Sequence, residues 1–260
     1  MIKYGVADYG LTCWYGNTFD YDDRVDFVKK LGFDGIERLN VNCADEAIEK
    51  AARLKKLGMS FATVNASKIE QSIKWTAALG GQYVWLDVMG QNGINSLIAG
   101  FEYEDYLRRV NYMADACKKY GIDVVVHNHM GTNAQTLEQV ERILDSCPDV
   151  KLLYDTGHMA LAGYDVKHFV DKYFDRIAAF HLKGRKMSET NPDHPDWDKC
   201  GHFCGISQGD VFVDNEYVYK YALKHGFDGW VFIEQDTHLQ DPAIDLADSL
   251  NTLKKWSKEI

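Results

Sequence analysis

No run of about 18 apolar residues occurs in the 260-residue chain, so nothing in it reads as a membrane-spanning helix. Met1-Ile2-Lys3-Tyr4-Gly5-Val6 lacks the long apolar stretch and the cleavage site of a secretory signal. Positive charge is short as well: 29 Lys and Arg against 39 Asp and Glu leave a formal net charge of −10. That balance speaks against nucleic acid as the main partner, because nucleic-acid binders carry a basic patch. Asp8-Tyr9-Gly10-Leu11, after the first strand-like run, is a poor match for a Gly-rich phosphate loop, which argues against an open doubly wound sheet. There is no low-complexity linker and no break in composition, so one domain over residues 1–260 is expected.

Six cysteines, at 13, 43, 117, 147, 200 and 204, are scattered through a chain long enough to fold without staples. They read as buried or free thiols in a reducing, cytoplasmic compartment. The apolar fraction of 46% is ample for one large core. The acidic surface neither demands nor excludes a homo-oligomer.

Short β-rich runs alternate with longer helix-patterned runs from end to end. Strands are expected at Ile2–Ala7, Asp34–Glu37, Met59–Val64, Tyr83–Met89, Ile122–Val126, Val150–Tyr154, Arg176–Leu182 and Trp230–Ile233. Helices are expected between them, for example Asp45–Leu57 with Ala47, Ile48, Ala51 and Leu54 on one face, and a terminal one over Ala243–Trp256. The Ile122–Val126 run is near-continuously apolar, as a strand buried on both faces is. Eight alternations in this length predict an α/β fold, a (β/α)₈ TIM barrel. The long stretch Gly184–Asp210 reads as an irregular functional loop.

Ionisable residues gather where strands end: Glu37, His127 and His129, Asp155 and His158, His181 and Lys183, and Glu234. In a barrel all strand C-termini open onto one face, and active sites are built there. His127, Asp155, His181 and Glu234, on four successive strand ends, form a mixed nitrogen and oxygen set. Such a set suits one divalent ion, Mn, Co, Fe or Zn in preference to Mg, which favours oxygen alone. His129 and His158 follow ligands closely and are candidates for substrate contact or proton transfer. Tyr9, Trp14, Tyr15 and Trp197 are candidates for stacking on a sugar ring, Trp14 foremost. Lys183-x-Arg185-Lys186 reads as a hydroxyl anchor at Lys183, with Arg185 a substrate contact, followed by a solvated basic face.

His127-Asn128-His129-Met130-Gly131-Thr132, Asp155-Thr156-Gly157-His158, His181-Leu182-Lys183 and Gly229-Trp230-Val231-Phe232-Ile233-Glu234-Gln235-Asp236 resemble the xylose-isomerase-like sugar isomerase/epimerase superfamily. Within it, the likeness is to inosose (2-keto-myo-inositol) dehydratases, which carry comparable His-x-His-Met-Gly-Thr, Asp-Thr-Gly-His and Glu-Gln-Asp stretches. Phe203-Cys204 and Gly209-Asp210-Val211 also resemble their segment before the last helix–strand unit. The resemblance is dense from about residue 121 to 238 and implies metal ligands at His127, Asp155, His181 and Glu234. Many ketose epimerases of the superfamily have Glu where His127 stands here, so the resemblance implies a lyase rather than a two-carboxylate epimerase. Trp14-Tyr15-Gly16-Asn17 and Asn92-Gly93-Ile94-Asn95 depart from the dehydratases and imply differently shaped substrate loops.

The expected activity is metal-assisted enolisation and dehydration of a small polyhydroxylated ketone, a keto-cyclitol or keto-sugar. Glu234, His129 and Glu37, in falling order, are the candidate bases, and His158 or Lys183 the acid. Ketose epimerisation or isomerisation and 3-keto-glycoside cleavage are the alternatives. An apurinic-site endonuclease is disfavoured by charge, and a non-catalytic sugar-binding barrel by the intact ligand set.

Overall fold

Two aromatic rings fill the centre of the molecule because glycines on neighbouring strands make room for them. Trp230 and Phe232 stack with centroids 5.0 Å apart. A Cβ on Gly5 would come within 2.4 Å of Phe232, and one on Gly35 within 2.8 Å of Trp230 and 2.0 Å of the Ser60 carbonyl. Ala7, Ala62, Tyr83, Val125, Leu153 and Ala179 complete this inner packing. A larger apolar layer lies outside it, between strands and helices.

The computed structural model describes residues 1–16, 18–86, 103–189, 191, 194–196, 199–238 and 240–260. Asn17, Met89, Asn92–Asn95 and Trp197 lie outside the described residues. Among the described residues the strands are β1 (Lys3–Ala7), β2 (Gly35–Val41), β3 (Ser60–Ala66), β4 (Tyr83–Trp85), β5 (Asp123–His127), β6 (Val150–Asp155), β7 (Ile177–Leu182), β8 (Gly184–Met187), β9 (Gly201–Cys204) and β10 (Trp230–Glu234). The helices are α1 (Tyr9–Trp14), α2 (Tyr21–Leu31), α3 (Ala44–Lys56), α4 (Ile69–Leu79), α5 (Tyr103–Lys118), α6 (Leu137–Ser146), α7 (Thr156–Leu161), α8 (Val166–Tyr173), α9 (Asn215–Lys224) and α10 (Pro242–Ser257). No helix of the described residues is long and apolar enough to cross a membrane.

Eight strands form one parallel sheet in the order β3-β2-β1-β10-β7-β6-β5-β4. The ends of this order meet: the Gln82 amide donates to the Ala62 carbonyl at 2.7 Å, drawing the start of β4 against β3. The result is the near-closed (β/α)₈ barrel that the alternation predicts, with all strand C-termini on one face. Local sequence supports the helices. α5 buries Tyr106, Leu107, Val110, Met113, Ala114 and Cys117, one stripe at helical spacing. α6 begins with a capping box, in which Gln139 N donates to Thr136 Oγ1 at 3.2 Å and Thr136 N to Gln139 Oε1 at 2.9 Å. All six cysteines are free.

Three expectations are corrected. β2 continues four residues beyond Glu37, so that carboxylate stands within the strand. Trp14 is the last residue of α1, not part of an extended loop. The Gly184–Asp210 stretch is not wholly irregular: β8 and β9 form an antiparallel hairpin that pairs Arg185 with Phe203. This hairpin follows β7 directly and hangs over the C-terminal mouth.

Candidate metal centre

β5, β6, β7 and β10 deliver His127, Asp155, His181 and Glu234 to one point. One ligand atom from each lies within 4.8 Å of every other, and all four side chains are buried. Register explains part of this, since Asp155 is the strand partner of His181. Backbone and side-chain bonds explain more. Asp155 N donates to Asn128 Oδ1 at 2.8 Å, while Asn128 Nδ2 donates to the Asp155 carbonyl at 2.9 Å. Asp155 Oδ1 caps α7 by accepting from His158 N at 2.9 Å, which turns Oδ2 towards the cluster. That Oδ2 is 3.3 Å from His127 Nε2, 3.8 Å from His181 Nδ1 and 2.9 Å from Lys183 Nζ.

Glu37 lies behind His181 and is fully buried. Its Oε1 is 3.0 Å from His181 Nε2 and accepts from the Tyr83 hydroxyl at 3.0 Å. That carboxylate faces the Nε2 side of the imidazole, while Nδ1 faces Asp155 and Glu234. His181 Nδ1 is 2.7 Å from Glu234 Oε2, yet neither atom is aligned for a hydrogen bond.

The electrostatics fit a cation. Burial pushes His127 down to about 4, outweighing Asp155, so its imidazole is uncharged and free to coordinate. Burial also acts against charge on His181, but Glu234 and Glu37 outweigh it and push that imidazole up to about 10. The pocket therefore draws positive charge towards Nδ1. For Asp155 and Glu234 burial is overcome by neighbouring cations, foremost Lys183 for the first and His181 and Lys183 for the second, and both stay ionised. Two nitrogens and two carboxylates converging on one buried point could hold a metal ion.

Lys183 is a buried charge with three carboxylate partners: Nζ is 2.6 Å from Glu234 Oε2, 2.9 Å from Asp155 Oδ2 and 3.4 Å from Asp236 Oδ2. Burial would lower it, but Asp155, Asp236 and Glu234 hold it well above the usual lysine range. Its stem runs past Gly157, where a Cβ would come within 2.5 Å of Lys183 Cγ and 2.9 Å of the Phe203 ring. Asn215 fixes the backbone, donating from Nδ2 to the Lys183 carbonyl at 2.9 Å and accepting from Thr156 Oγ1 at 2.6 Å.

His129 and His158 stand beside the ligands with ring centroids 3.9 Å apart, and both approach the His127 ring, at 5.4 and 6.0 Å. His129 Nδ1 is 2.7 Å from the Met130 carbonyl and donates to it, which leaves Nε2 as an acceptor. Among the described residues both buried ring nitrogens of His158 have no hydrogen-bond partner, and burial holds this imidazole well below its usual range.

Phe203, from the hairpin, closes one side, 5.0 Å from His158, with Lys183 Nζ 4.5 Å and the Arg185 guanidinium 4.8 Å from its ring centroid. Arg185 is thus buried against Phe203, and of the three basic residues Lys186 is the exposed one. Trp14 is half exposed on α1, edge-on to His238 at 5.9 Å. Sequence reasoning passed over Tyr83, Trp85 and Arg38. Trp85 packs 4.9 Å from His127 and 5.6 Å from His181. An aromatic within a strand carries no sequence signal that separates a pocket wall from ordinary core.

Fold and site together define a (β/α)₈ barrel whose mouth carries a buried His/Asp/His/Glu group able to hold a metal ion. The family model described as "Xylose isomerase-like TIM barrel" matches residues 25–256, and the chain belongs to that family. It is 32% identical over 278 residues to an inosose dehydratase of Geobacillus thermodenitrificans, covering 94% of this chain and 91% of the relative. An inosose dehydratase of Lacticaseibacillus casei is 31% identical over 150 residues, 55% of this chain, and the match spans about half, 49%, of that relative's length. A solved xylose isomerase domain protein from Planctomyces limnophilus superposes with a TM-score of 0.73 at 13% identity, covering 100% of this chain and 98% of the other, a likeness of fold.

Proposed function

We propose that the protein is a divalent-metal-dependent dehydratase that acts on a keto-cyclitol or keto-sugar, in the manner of an inosose dehydratase. The observation that carries this reading is the buried group His127, Asp155, His181 and Glu234, flanked by Lys183 and the His129–His158 pair. The likeness to named inosose dehydratases supports the choice of dehydration.

His127 Nε2, Asp155 Oδ2, His181 Nδ1 and Glu234 are the atoms and residues that would hold the ion, with Glu37 fixing the His181 tautomer. A divalent ion held there would supply Lewis acidity, the chemistry that makes a C–H bond beside a ketone more acidic. The histidine pair takes the α proton, since the His158 ring nitrogens have no hydrogen-bond partner among the described residues, whereas Glu234 Oε2 is engaged by Lys183 at 2.6 Å. Glu37 positions His181 and does not reach the substrate. Lys183, charged and held among Asp155, Glu234 and Asp236, donates the proton with which the β-hydroxyl departs as water. Phe203 excludes solvent from the side where that hydroxyl leaves.

The test is protein reconstituted with Mn²⁺, analysed for metal content and incubated with scyllo-inosose and several keto-sugars in D₂O. One metal per chain with release of a dehydrated diketone supports the reading. Deuterium entering the α carbon without loss of water would replace it with an epimerase or isomerase. Neither metal binding nor exchange with any substrate would overturn it.

A further inference from the structure

β2 presents Glu37 and Arg38 side by side, and both bear on the pocket. The Arg38 guanidinium lies 4.6 Å from the centroid of Trp85, the ring that packs on His127 and His181. Burial disfavours its charge, but Glu37, Asp8 and Glu234 outweigh that and keep it charged. Each of these carboxylates has a closer partner. Asp8 Oδ2 is 3.2 Å from Arg24 Nε, Glu37 Oε1 is 3.0 Å from both the Tyr83 hydroxyl and His181, and Glu234 Oε2 is 2.6 Å from Lys183. Among the described residues Arg38 itself has one ion pair, of 3.7 Å from Nε to Glu37 Oε2, and that buried Nε has no hydrogen-bond acceptor. Its side chain keeps 22% of its surface exposed. A planar five-donor group lies on an indole at the barrel mouth, with donors uncommitted to any described residue.

We propose that Arg38, backed by Trp85, is a substrate-binding and specificity-determining residue that donates in bidentate fashion to two adjacent oxygens of the substrate, remote from the carbons that react. This rests on the reading of the site as one for a polyhydroxylated ketone. The geometry suits it: a guanidinium fork matches paired oxygens, and the indole gives the group a fixed plane. A polyhydroxylated ring in the pocket is thereby held at the edge that faces β2.

Steady-state kinetics of Mn²⁺-loaded Arg38→Met and Arg38→Lys, with scyllo-inosose and its monodeoxy analogues, test this. Arg38→Met should raise KM about 10- to 100-fold, the effect of losing charge-assisted hydrogen bonds, with kcat within about threefold of the parent. Arg38→Lys should recover part of the loss. One deoxy analogue should lose the same factor with the parent protein and nothing further with Arg38→Met. An unchanged KM, or a kcat loss shared equally by all analogues, overturns the proposal. Calorimetry with the same ketones separates it from the dehydratase reading. Binding without turnover that disappears in Arg38→Met keeps the proposal and removes the dehydratase. Equal binding to parent and Arg38→Met, or none to the parent, overturns the proposal.

Discussion

The Asn128 side chain, just past β5, makes two hydrogen bonds to the Asp155 backbone, accepting from its amide at 2.8 Å and donating to its carbonyl at 2.9 Å. The pair fixes where β6 ends and α7 begins, and so where Oδ2 of Asp155 points. Asn128→Ala leaves the Asp155 amide and carbonyl without these partners in a buried setting, at a cost of about 1–3 kcal/mol for each orphaned group. The expected result is a lower Tm and metal affinity weakened about 10- to 100-fold, because the partners of a ligand orient it. Thermal unfolding and metal titration would show it; an unchanged metal affinity would mean that Asp155 is held by the α7 cap alone.

Gly157 stands where Lys183 passes. A Cβ there would lie 2.5 Å from Lys183 Cγ, 2.8 Å from Cδ and 2.9 Å from the Phe203 ring. Gly157→Ala should displace the lysine stem, destabilise the fold by about 1–3 kcal/mol as overpacking does, and depress turnover more than metal binding. The three atoms nearest that Cβ belong to Lys183 and Phe203. Retained turnover with lost metal would contradict this placement of Lys183.

The metal-free protein should lose stability on both sides of neutrality. His181, raised in the folded state from 6.5 to about 10, contributes stability that is complete below the unfolded value and lost as pH rises from 6.5 through about 10. His127, depressed from 6.5 to about 4, contributes stability present above 6.5 and lost as pH falls towards 4. A bound ion takes the place of the His181 proton, so metal affinity should rise with pH across the alkaline window and the metal-loaded Tm should stay flat there. Thermal scans from pH 4 to pH 10, with and without Mn²⁺, check this. A metal-free Tm that climbs steadily above pH 7 would contradict the His181 assignment.

Much of this was legible in the chain. Alternating β and helical runs led to the barrel because strand burial on both faces and helix burial on one leave different periodicities. His127, Asp155, His181 and Glu234 could be picked out because a parallel barrel brings strand ends together wherever they fall in sequence. Glu37 was placed at a strand end because the run after it, Arg38-Leu39-Asn40-Val41, mixes polar and apolar residues and conceals that β2 continues. The β8–β9 hairpin was missed because Ser188–Lys199, a long polar stretch, separates its two short strands.

The sequence by itself determined the fold class and pointed to four residues that the fold brings together and that could hold a metal ion, since these follow from residue type and from order along the chain. Only the tertiary structure decided what each neighbour does. Glu37 backs His181, Lys183 is shared among three carboxylates, Arg185 is buried on Phe203, and Arg38 lies on Trp85. The physical reason is distance: a side chain's charge state and partner depend on atoms a few ångströms away, brought there by strands scores of residues apart.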